Sequence, residues 1–581
     1  MIFLISSLLL FIPLISSTDP IVHTEYGSVI GFEHENIADV YLGIPFASPP
    51  IKELRFKKPI PPQPWDTPIE AKNFSKACVP HSKDALLDKI PSSEDCLYLN
   101  IIAPKRKDDS LSPVLFYIHG GGYEIGNAAL YGYKSFADIY ASQGIVVVTI
   151  QYRLGVLGFL TLGGSSSFKG NYGLFDQVEA LKFVHRNIEK FGGDPKRITV
   201  FGISAGATSA GQLSLSPLTR DLVAGSIEMS GSPHAGWAND NRVEMHSEEL
   251  VDACGCWGKR NIEDVEECMR KVKVKDIHNG VAFIFEAAFS VNFLKFAPRI
   301  DGEFAPERYE ELAKSAPKIP TLTGINSLES AYFTLWNRAS SIHRIAIMPG
   351  EQPLFNVDKF DMKVRILLNE FLEREETDAA VDDVLSFYIG NDYQSHYGKD
   401  TPELVPYLLK QYSEFWSDIF FNLPTRYRAD ERKKYGSDSY VYFFEHFSNE
   451  LFTDKDFVKG AFHINEMSYV FDYQAQGTFE WTEEENKVRE RTHEMMISFI
   501  KNGKPSVEGV HWPSYSQSNN SPYVTIASPQ WKSNEGFVNK SYRFWEDVMS
   551  KYSFDFVRFK KNSVPQRQIP RPPTVNDHEE L

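Results

Sequence analysis

The sequence predicts an α/β protein whose central sheet is mostly parallel and is flanked by helices. Three apolar runs are rich in β-branched and aromatic residues and have no alternation of polar and apolar positions: residues 114–118, 145–150 and 198–201. This pattern is typical of strands that are buried on both faces. Between the last two lies a stretch, residues 174–191, whose apolar side chains recur every three or four positions, which is typical of a helix. Strands that alternate with helices in this way favour a parallel sheet covered on both faces.

Length and composition indicate a large globular protein with an acidic surface. The chain has 581 residues, of which 42% are hydrophobic, and a net charge of −16. This composition excludes a disordered or collagen-like chain, and the charge argues against nucleic acid or anionic lipid as a partner. A chain this long favours about four domains. However, no repeat or Gly/Ser-rich linker divides it, so we expect one large domain over residues 18–560.

The first 17 residues predict a secretory signal peptide. Residues 2–15 are almost continuously apolar and are followed by the small residues 16–18. That run is shorter than the roughly 20 residues that cross a membrane, and the alternative is a buried N-terminal strand or helix. No later stretch is long and apolar enough to span a bilayer, so we expect no stable membrane anchor.

The C-terminal residues 561–581 form a Pro-rich polar tail that ends in His-Glu-Glu-Leu. This tetrapeptide is a relative of the His-Asp-Glu-Leu signal that returns proteins to the endoplasmic reticulum. The tail therefore favours the lumen of the endoplasmic reticulum and an interaction with its retention receptor. Secretion is the alternative.

The five cysteines allow at most two disulfides. Cys78 lies close to Cys96 in the sequence, and Cys256 lies close to Cys268, so two short loops are the most economical pairing and Cys254 is left over. A metal site at Cys254 and Cys256 is the alternative, but no His or second Cys pair lies at ligand spacing, and we expect no metal.

Three asparagines begin the Asn-x-Ser pattern that accepts N-linked glycans in the secretory pathway. They are Asn73, Asn519 and Asn539. Pro522 directly follows the serine of the second pattern and weakens that prediction.

A nucleophilic serine is predicted where the buried run 198–201 ends. Residues 202–206 read Gly-Ile-Ser-Ala-Gly and lead into a stretch of small residues that can be helical. A serine on a sharp turn from a strand to a helix presents its hydroxyl above the sheet, and flanking glycines leave room for that turn. The sequence therefore predicts Ser204 as a nucleophile, with a merely structural Gly/Ser turn as the alternative.

A second motif supplies candidate donors for an oxyanion. His119 and three glycines directly follow the buried run 114–118. Glycines at the end of a strand leave the amides of Gly121 and Gly122 unobstructed, so that they can converge on one oxygen together with the amide of Ala205. The alternative is a flexible loop.

Further motifs, in order along nearly the whole chain, resemble the type B carboxylesterases, a family that includes the cholinesterases. They are residues 41–47 (YLGIPFA), 94–100 (EDCLYLN), 152–155 (YRLG), 170–171 (GN), 173–177 (GLFDQ) and 191–195 (FGGDP). The sequence is more similar to gut-type esterases than to synaptic ones. The resemblance implies the α/β-hydrolase fold in a single large domain, and hydrolysis of carboxylic esters. The sequence has no metal, nucleotide or flavin motif, so we expect no cofactor.

The resemblance also implies the remainder of a catalytic triad. It assigns the acid to Glu329 and the base to His463, in the chain order Ser204, Glu329, His463 that this fold uses. In the implied mechanism His463 takes the proton of Ser204 as the serine attacks a small-molecule ester, Glu329 orients the imidazole, and water then hydrolyses the acyl-enzyme.

Departures from the cholinesterase pattern argue against choline esters as substrates. Cholinesterases carry a Trp between their first two cysteines, but residues 79–95 contain no aromatic residue. Cholinesterases also place Glu directly before the nucleophile, where this chain has Ile203. Both departures favour neutral esters.

The acyl side of the substrate pocket is assigned from the same resemblance. Asn292 and Leu294 stand where acetyl-selective enzymes carry two aromatic residues that narrow this pocket, whereas Trp237 is retained. These differences predict a wider pocket that accepts butyryl or longer chains.

Two alternative functions keep the fold. One is a noncatalytic adhesion or binding ectodomain, which usually carries a transmembrane helix after the hydrolase domain. The other is a lipase acting at lipid interfaces. The intact motifs favour the esterase, and the sequence does not indicate an oligomeric state.

Overall fold

The computed structural model describes residues 19–81, 90–105, 108–259, 261–286, 294–336, 345–390, 403–474 and 477–561. Within these ranges the chain is organised around an eleven-stranded sheet. Its strands are Phe32–His34 (β1), Ala38–Pro45 (β2), Tyr98–Pro104 (β3), Ser112–Ile118 (β4), Val146–Ile150 (β5), Gly193–Ile203 (β6), Gly225–Met229 (β7), Thr321–Asn326 (β8), Ser439–Phe444 (β9), Tyr523–Ile526 (β10) and Lys532–Asn534 (β11).

The predicted mostly parallel sheet is confirmed. Across the sheet the strands lie in the order β11-β10-β9-β8-β7-β6-β4-β5-β3-β2-β1. Strands β10 to β5 in this order are parallel, whereas β3, β2 and β1 at one edge and β11 at the other are antiparallel to their neighbours. Short paired strands lie outside this sheet at Ile21–His23, Ser28–Ile30, Ile69–Glu70, Ala77–Cys78, Ser92–Ser93, Phe554–Asp555 and Lys560–Lys561.

Helices cover both faces of the sheet, because successive strand residues point to opposite faces and both sets are apolar. In β4, Val114, Phe116 and Ile118 pack into one core, and Leu115 and Tyr117 pack into the other. The α-helices are Lys134–Ile139 (α1), Gly155–Phe159 (α2), Tyr172–Asn187 (α3), Ala205–Leu213 (α4), Val243–Ala253 (α5), Ile262–Lys271 (α6), Val274–Glu286 (α7), Tyr309–Leu312 (α8), Ala331–Thr334 (α9), Val357–Leu368 (α10), Arg374–Tyr388 (α11), Leu404–Ser417 (α12), Leu423–Lys434 (α13), Met467–Phe471 (α14), Glu483–Asn502 (α15) and Asn539–Tyr552 (α16).

The helix predicted over residues 174–191 is α3, which begins two residues earlier, at Tyr172, and ends sooner. The α-helix stops at Asn187 and continues as a 3₁₀ turn over Ile188–Phe191. Gly192 then has a φ of 84°, a left-handed conformation that ends the turn and directs the chain into β6. Periodicity alone does not distinguish an α-helix from this tighter final turn.

The carboxyl ends of the parallel strands bring the predicted site residues to one edge of the sheet. His119 follows β4, Ser204 follows β6, Ser230 follows β7, and Glu329 lies three residues after β8. This edge is the usual position of ligand sites in open α/β sheets.

Disulfides join Cys78 to Cys96 and Cys256 to Cys268, which is the pairing that the spacing favours. Cys254 is a free cysteine. The predicted signal peptide and nearly all of the predicted tail, including His-Glu-Glu-Leu, lie outside the described residues. None of the described helices has the length and apolar character that crossing a membrane requires.

Candidate active site

Ser204 occupies the sharp turn between β6 and α4. Its backbone has φ 58° and ψ −125°, which is a strained conformation for a residue with a side chain. The strand ends one residue before Ser204 and the helix begins one residue after it, and the Ser204 amide donates to the carbonyl of Met229 at 2.8 Å. This is the sharp turn from a strand into a helix that the sequence predicts at Ser204.

Close backbone contacts leave no room for side chains at two glycines beside this turn, Gly120 and Gly206. A Cβ at Gly206 would overlap the carbonyl oxygen of Ile118, the last residue of β4. A Cβ at Gly120 would lie 2.6 Å from the carbonyl oxygen of Ile203 and 3.3 Å from the Cβ of Ser204. The glycine loop after β4 therefore lies directly against the serine turn.

Three amides at this junction are available to an external acceptor. Within the described ranges, no backbone or side-chain group accepts a hydrogen bond from the amides of Gly121, Gly122 or Ala205. Ala205 is the first residue of α4, where an amide has no acceptor within its own helix and the helix dipole favours negative charge.

Glu329 and His463 form a buried hydrogen-bonded pair. Glu329 Oε2 lies 2.7 Å from His463 Nδ1, and the backbone amide of His463 donates to the carbonyl of Glu329 at 3.2 Å. The two loops are also joined where the Leu328 amide donates to the carbonyl of Ala461 at 2.8 Å. Because the carboxylate accepts at Nδ1, the proton lies on that nitrogen and Nε2 is left as the basic one.

Ser230 and Asn326 hold the other oxygen of Glu329. The Ser230 hydroxyl donates to Glu329 Oε1 at 2.6 Å, and the backbone amide of Asn326 donates to the same oxygen at 2.7 Å. Glu329 is fully buried, so these bonds replace the water that an exposed carboxylate would bind. From the sequence, Ser230 is either a hydrogen-bond partner of the site or a plain turn serine, and Asn326 has no assigned role.

Glu466 is a second buried carboxyl beside this pair, which sequence analysis also misses. Its Oε1 lies 3.1 Å from the Ser230 hydroxyl, and its Oε2 accepts from the side-chain amide of Asn326. Burial, together with the charge of Glu329, raises the pKa of Glu466 to about 8. A hydroxyl has one proton to donate, so a protonated Glu466 can donate to Ser230 while Ser230 donates to Glu329.

Aromatic rings enclose the imidazole of His463. Its ring centroid lies 4.5 Å from that of Phe421 and 5.1 Å from that of Phe333, and the two phenyl rings stack at 5.8 Å. Phe421 belongs to a π-helical turn, Asp418–Asn422, between α12 and α13. A single extra residue in a helical turn leaves no recognisable pattern in the sequence, so this contact was not predicted.

Two of the three predicted pocket residues lie near the glycine loop. A Cβ at Gly122 would lie 3.0 Å from Leu294 Cδ2, and Leu294 is buried. The ring of Trp237 lies 6.5 Å from that of Tyr123, and its Nε1 donates to the carbonyl of Phe420 at 2.9 Å. Asn292 lies outside the described residues.

Similarity to known proteins extends over nearly the whole chain. The model of the carboxylesterase family matches residues 18–545. The chain belongs to the carboxylesterase family. It is 36% identical to Gut esterase 1 of Caenorhabditis elegans over 93% of this chain and 94% of that one. It is 31% identical to a cocaine esterase of Oryctolagus cuniculus (86% and 90%) and 30% identical to an acetylcholinesterase of Leptinotarsa decemlineata (92% and 87%).

The family match confirms the α/β-hydrolase fold and identifies the chain as a carboxylesterase.

The three asparagines of the predicted glycan sites differ in environment: Asn73 and Asn519 are exposed, whereas Asn539 is half-buried and accepts from Arg426 Nη1 at 2.6 Å. Glycosylation of all three stays a prediction. Across the described residues, no cluster of His, Cys, Asp and Glu has the arrangement of a metal site.

The raised pKa of Glu466 predicts a pH dependence of stability. Between its ordinary value of 4.5 and about 8, the folded protein keeps a proton that the unfolded chain releases, so Glu466 lowers stability as the pH rises. Glu466→Gln removes this titration and keeps an amide that can donate to Ser230. We expect the unfolding midpoint of Glu466→Gln, relative to wild type, to increase between pH 5 and pH 8 in urea denaturation.

Glu480→Gln, which changes an exposed carboxylate, is the matched control and should give a difference from wild type that hardly varies with pH. Parallel pH profiles for wild type and Glu466→Gln would show that Glu466 is ionised in the folded protein.

Proposed function

We propose that this carboxylesterase cleaves neutral carboxylic esters through an acyl-enzyme on Ser204. Family membership establishes hydrolysis of carboxylic esters. The observation that carries the finer proposal is the buried 2.7 Å contact between Glu329 and His463, at the same sheet edge as the strained turn at Ser204. A hydroxyl is a poor nucleophile at neutral pH, so it needs a base held in this way.

In the proposed acylation step, His463 Nε2 accepts the proton of Ser204 as the serine oxygen attacks the ester carbonyl. The carbonyl π electrons move onto its oxygen, and a tetrahedral intermediate forms. The imidazolium then donates its proton to the leaving alcohol as the carbon–oxygen bond of the ester breaks. Glu329 stabilises the imidazolium through its bond to Nδ1 without taking the proton.

Deacylation repeats these proton transfers with water as the nucleophile. His463 accepts a proton from the water, and the intermediate collapses to release the carboxylic acid and free Ser204. In both steps the amides of Gly121, Gly122 and Ala205 are the proposed donors to the oxyanion. This role is supported by their lack of acceptors in the described part of the chain.

Two apolar residues support neutral esters with medium-length acyl groups as substrates. Ile203, directly before Ser204, is buried and brings no charge that would attract a cationic alcohol. Leu294, beside Gly122, is smaller than the aromatic residues that narrow the acyl pocket in acetyl-selective relatives. We therefore favour butyryl or longer acyl groups over acetyl.

The two disulfides support a site of action in the secretory pathway, because such bonds persist in oxidising compartments. Retention in the lumen of the endoplasmic reticulum rests on the terminal His-Glu-Glu-Leu alone, with secretion as the alternative. A reporter that carries residues 561–581 would test the tail by its accumulation inside cells or in the medium.

Replacement of the proposed nucleophile tests the mechanism. Ser204→Ala should lower kcat for p-nitrophenyl butyrate by about 10⁴-fold or more, because removal of a triad member leaves only binding and oxyanion stabilisation. Wild type treated with an organophosphate should carry one adduct on Ser204 by mass spectrometry.

Ser165→Ala, which alters an exposed serine, is the control and should keep full turnover and labelling. Undiminished turnover by Ser204→Ala would refute the proposed nucleophile. A wild type with neither turnover nor an adduct would favour a noncatalytic binding protein, and activation only on emulsified long-chain triglyceride would favour a lipase.

Enlargement of Leu294 tests the acyl-chain proposal. Leu294→Phe should lower kcat/KM for a hexanoyl ester about tenfold or more relative to the acetyl ester of the same alcohol, because each methylene that no longer fits costs about 1–3 kcal/mol. Leu294→Met keeps a similar volume and should preserve the wild-type ratio. An unchanged ratio in Leu294→Phe would mean that Leu294 does not border the acyl group.

A further inference from the structure

His119 is a buried histidine at the start of the glycine loop, and the proposed reaction steps do not use it. Its Nδ1 lies 2.9 Å from the carbonyl oxygen of the next residue, Gly120. A carbonyl oxygen only accepts hydrogen bonds, so Nδ1 carries the proton and donates it.

The ring of His119 is uncharged at neutral pH. Burial lowers the pKa of His119 to about 4, against the weaker opposing effect of its bond to Gly120. Its Nε2 is buried and has no hydrogen-bond partner among the described residues, so a proton there would be left unpaired. The Nδ1–H donor of His119 is therefore present at every pH at which a neutral His463 can act as the base.

The surroundings of His119 hold its ring in one orientation. The ring stacks on Tyr152 with centroids 4.4 Å apart and planes 15° apart, and the Tyr152 hydroxyl donates to the carbonyl of His119 at 2.9 Å. Gly126, at φ 103°, lies so close that a Cβ there would be 2.5 Å from His119 Nδ1 and 2.6 Å from the Gly120 oxygen. Any side chain at this position would enter the space of the hydrogen bond.

The bond from His119 fixes the plane of the peptide between Gly120 and Gly121. This peptide is trans, so its carbonyl and its amide point in opposite directions. When the carbonyl is held towards His119, the Gly121 amide points away from it. The Gly120 end of the same peptide lies against Ser204, since a Cβ at Gly120 would be 3.3 Å from the serine Cβ.

We propose that His119 is a positioning residue that aims the Gly121 amide at the oxyanion formed on the ester attacked by Ser204. The inference rests on the proposed function, because it needs an oxyanion beside Ser204. Consecutive glycines have wide conformational freedom, and a donor that must be oriented during the reaction stabilises a transition state less than one oriented beforehand. Glycines have no side chain that could restrain this peptide, and the ring of His119 provides the restraint.

The test separates the hydrogen bond from the ring. His119→Phe keeps a ring that can stack on Tyr152 but removes the donor, and His119→Asn places an amide nitrogen near the position of Nδ1. His119→Gln carries its amide nitrogen one carbon further away and serves as the matched control. Each variant is assayed with an ester and with the thionoester of the same acid and alcohol, since sulfur accepts hydrogen bonds from amides poorly. Activities are expressed per active site titrated with an organophosphate.

We expect His119→Phe and His119→Gln to lower kcat for the ester about ten- to a hundredfold, with KM within about threefold of wild type, because one donor is misaligned and not lost. The ester-to-thionoester ratio of kcat should fall at least fivefold in both variants. His119→Asn should keep that ratio within about twofold of wild type.

If His119 had a merely structural role, the variants would lower kcat for the ester and for the thionoester by the same factor, or would lower only the number of active sites that react with the organophosphate. Either result would overturn the proposal. If His119→Phe does not fold, the comparison of Asn with Gln decides, and equal ratios in those two variants would also overturn it. Failure of the proposed function is recognised separately, because Ser204→Ala would then retain turnover or the wild type would show neither turnover nor an organophosphate adduct.

Discussion

The proposed site depends on how the chain passes from β6 into α4 at a single residue. Ser204 makes this turn at φ 58°, and the turn is held from outside: its amide bonds to Met229, and the loop after β4 packs against it without intervening side chains. Strain of this kind persists only where the surrounding structure determines it. The lack of a side chain at Gly206 lets the turn pack against the end of β4. The same close contact brings the glycine loop that follows β4 next to Ser204.

The site also depends on two buried carboxyl groups that lie within hydrogen-bond distance of one hydroxyl. Glu329 and Glu466 both contact Ser230, and both are removed from water. Two buried carboxylates this close repel each other, and burial together with the charge of Glu329 raises the pKa of Glu466 to about 8, so of the two carboxyl groups Glu466 keeps a proton at neutral pH. The arrangement leaves Glu329 to balance the charge that develops on His463, while Glu466 contacts the Ser230 hydroxyl and accepts a hydrogen bond from the side-chain nitrogen of Asn326.

The parts of the molecule that could be predicted from the sequence are those whose signal is local or recorded in motifs. The buried runs predicted β4, β5 and β6 because strands covered on both faces need continuous apolar residues, and the serine turn followed from its glycines. Glu329 and His463 came from the family resemblance, since position alone cannot select one histidine among 15. Glu466, Phe421 and the orientation of His119 depend on which loops meet in three dimensions, and no spacing along the chain records that. The shorter α3 was missed because a 3₁₀ turn continues the same periodicity.

The most direct test of an acyl-enzyme on Ser204 is to trap the intermediate during turnover of an ester. The enzyme is mixed with p-nitrophenyl butyrate, quenched in acid within milliseconds to seconds, digested, and its peptides are analysed by mass spectrometry. A butyryl group on the peptide that contains Ser204, appearing in the burst and decaying as substrate is exhausted, is the predicted result. Sustained turnover with that peptide unmodified, or with the butyryl group on another residue, would contradict the mechanism.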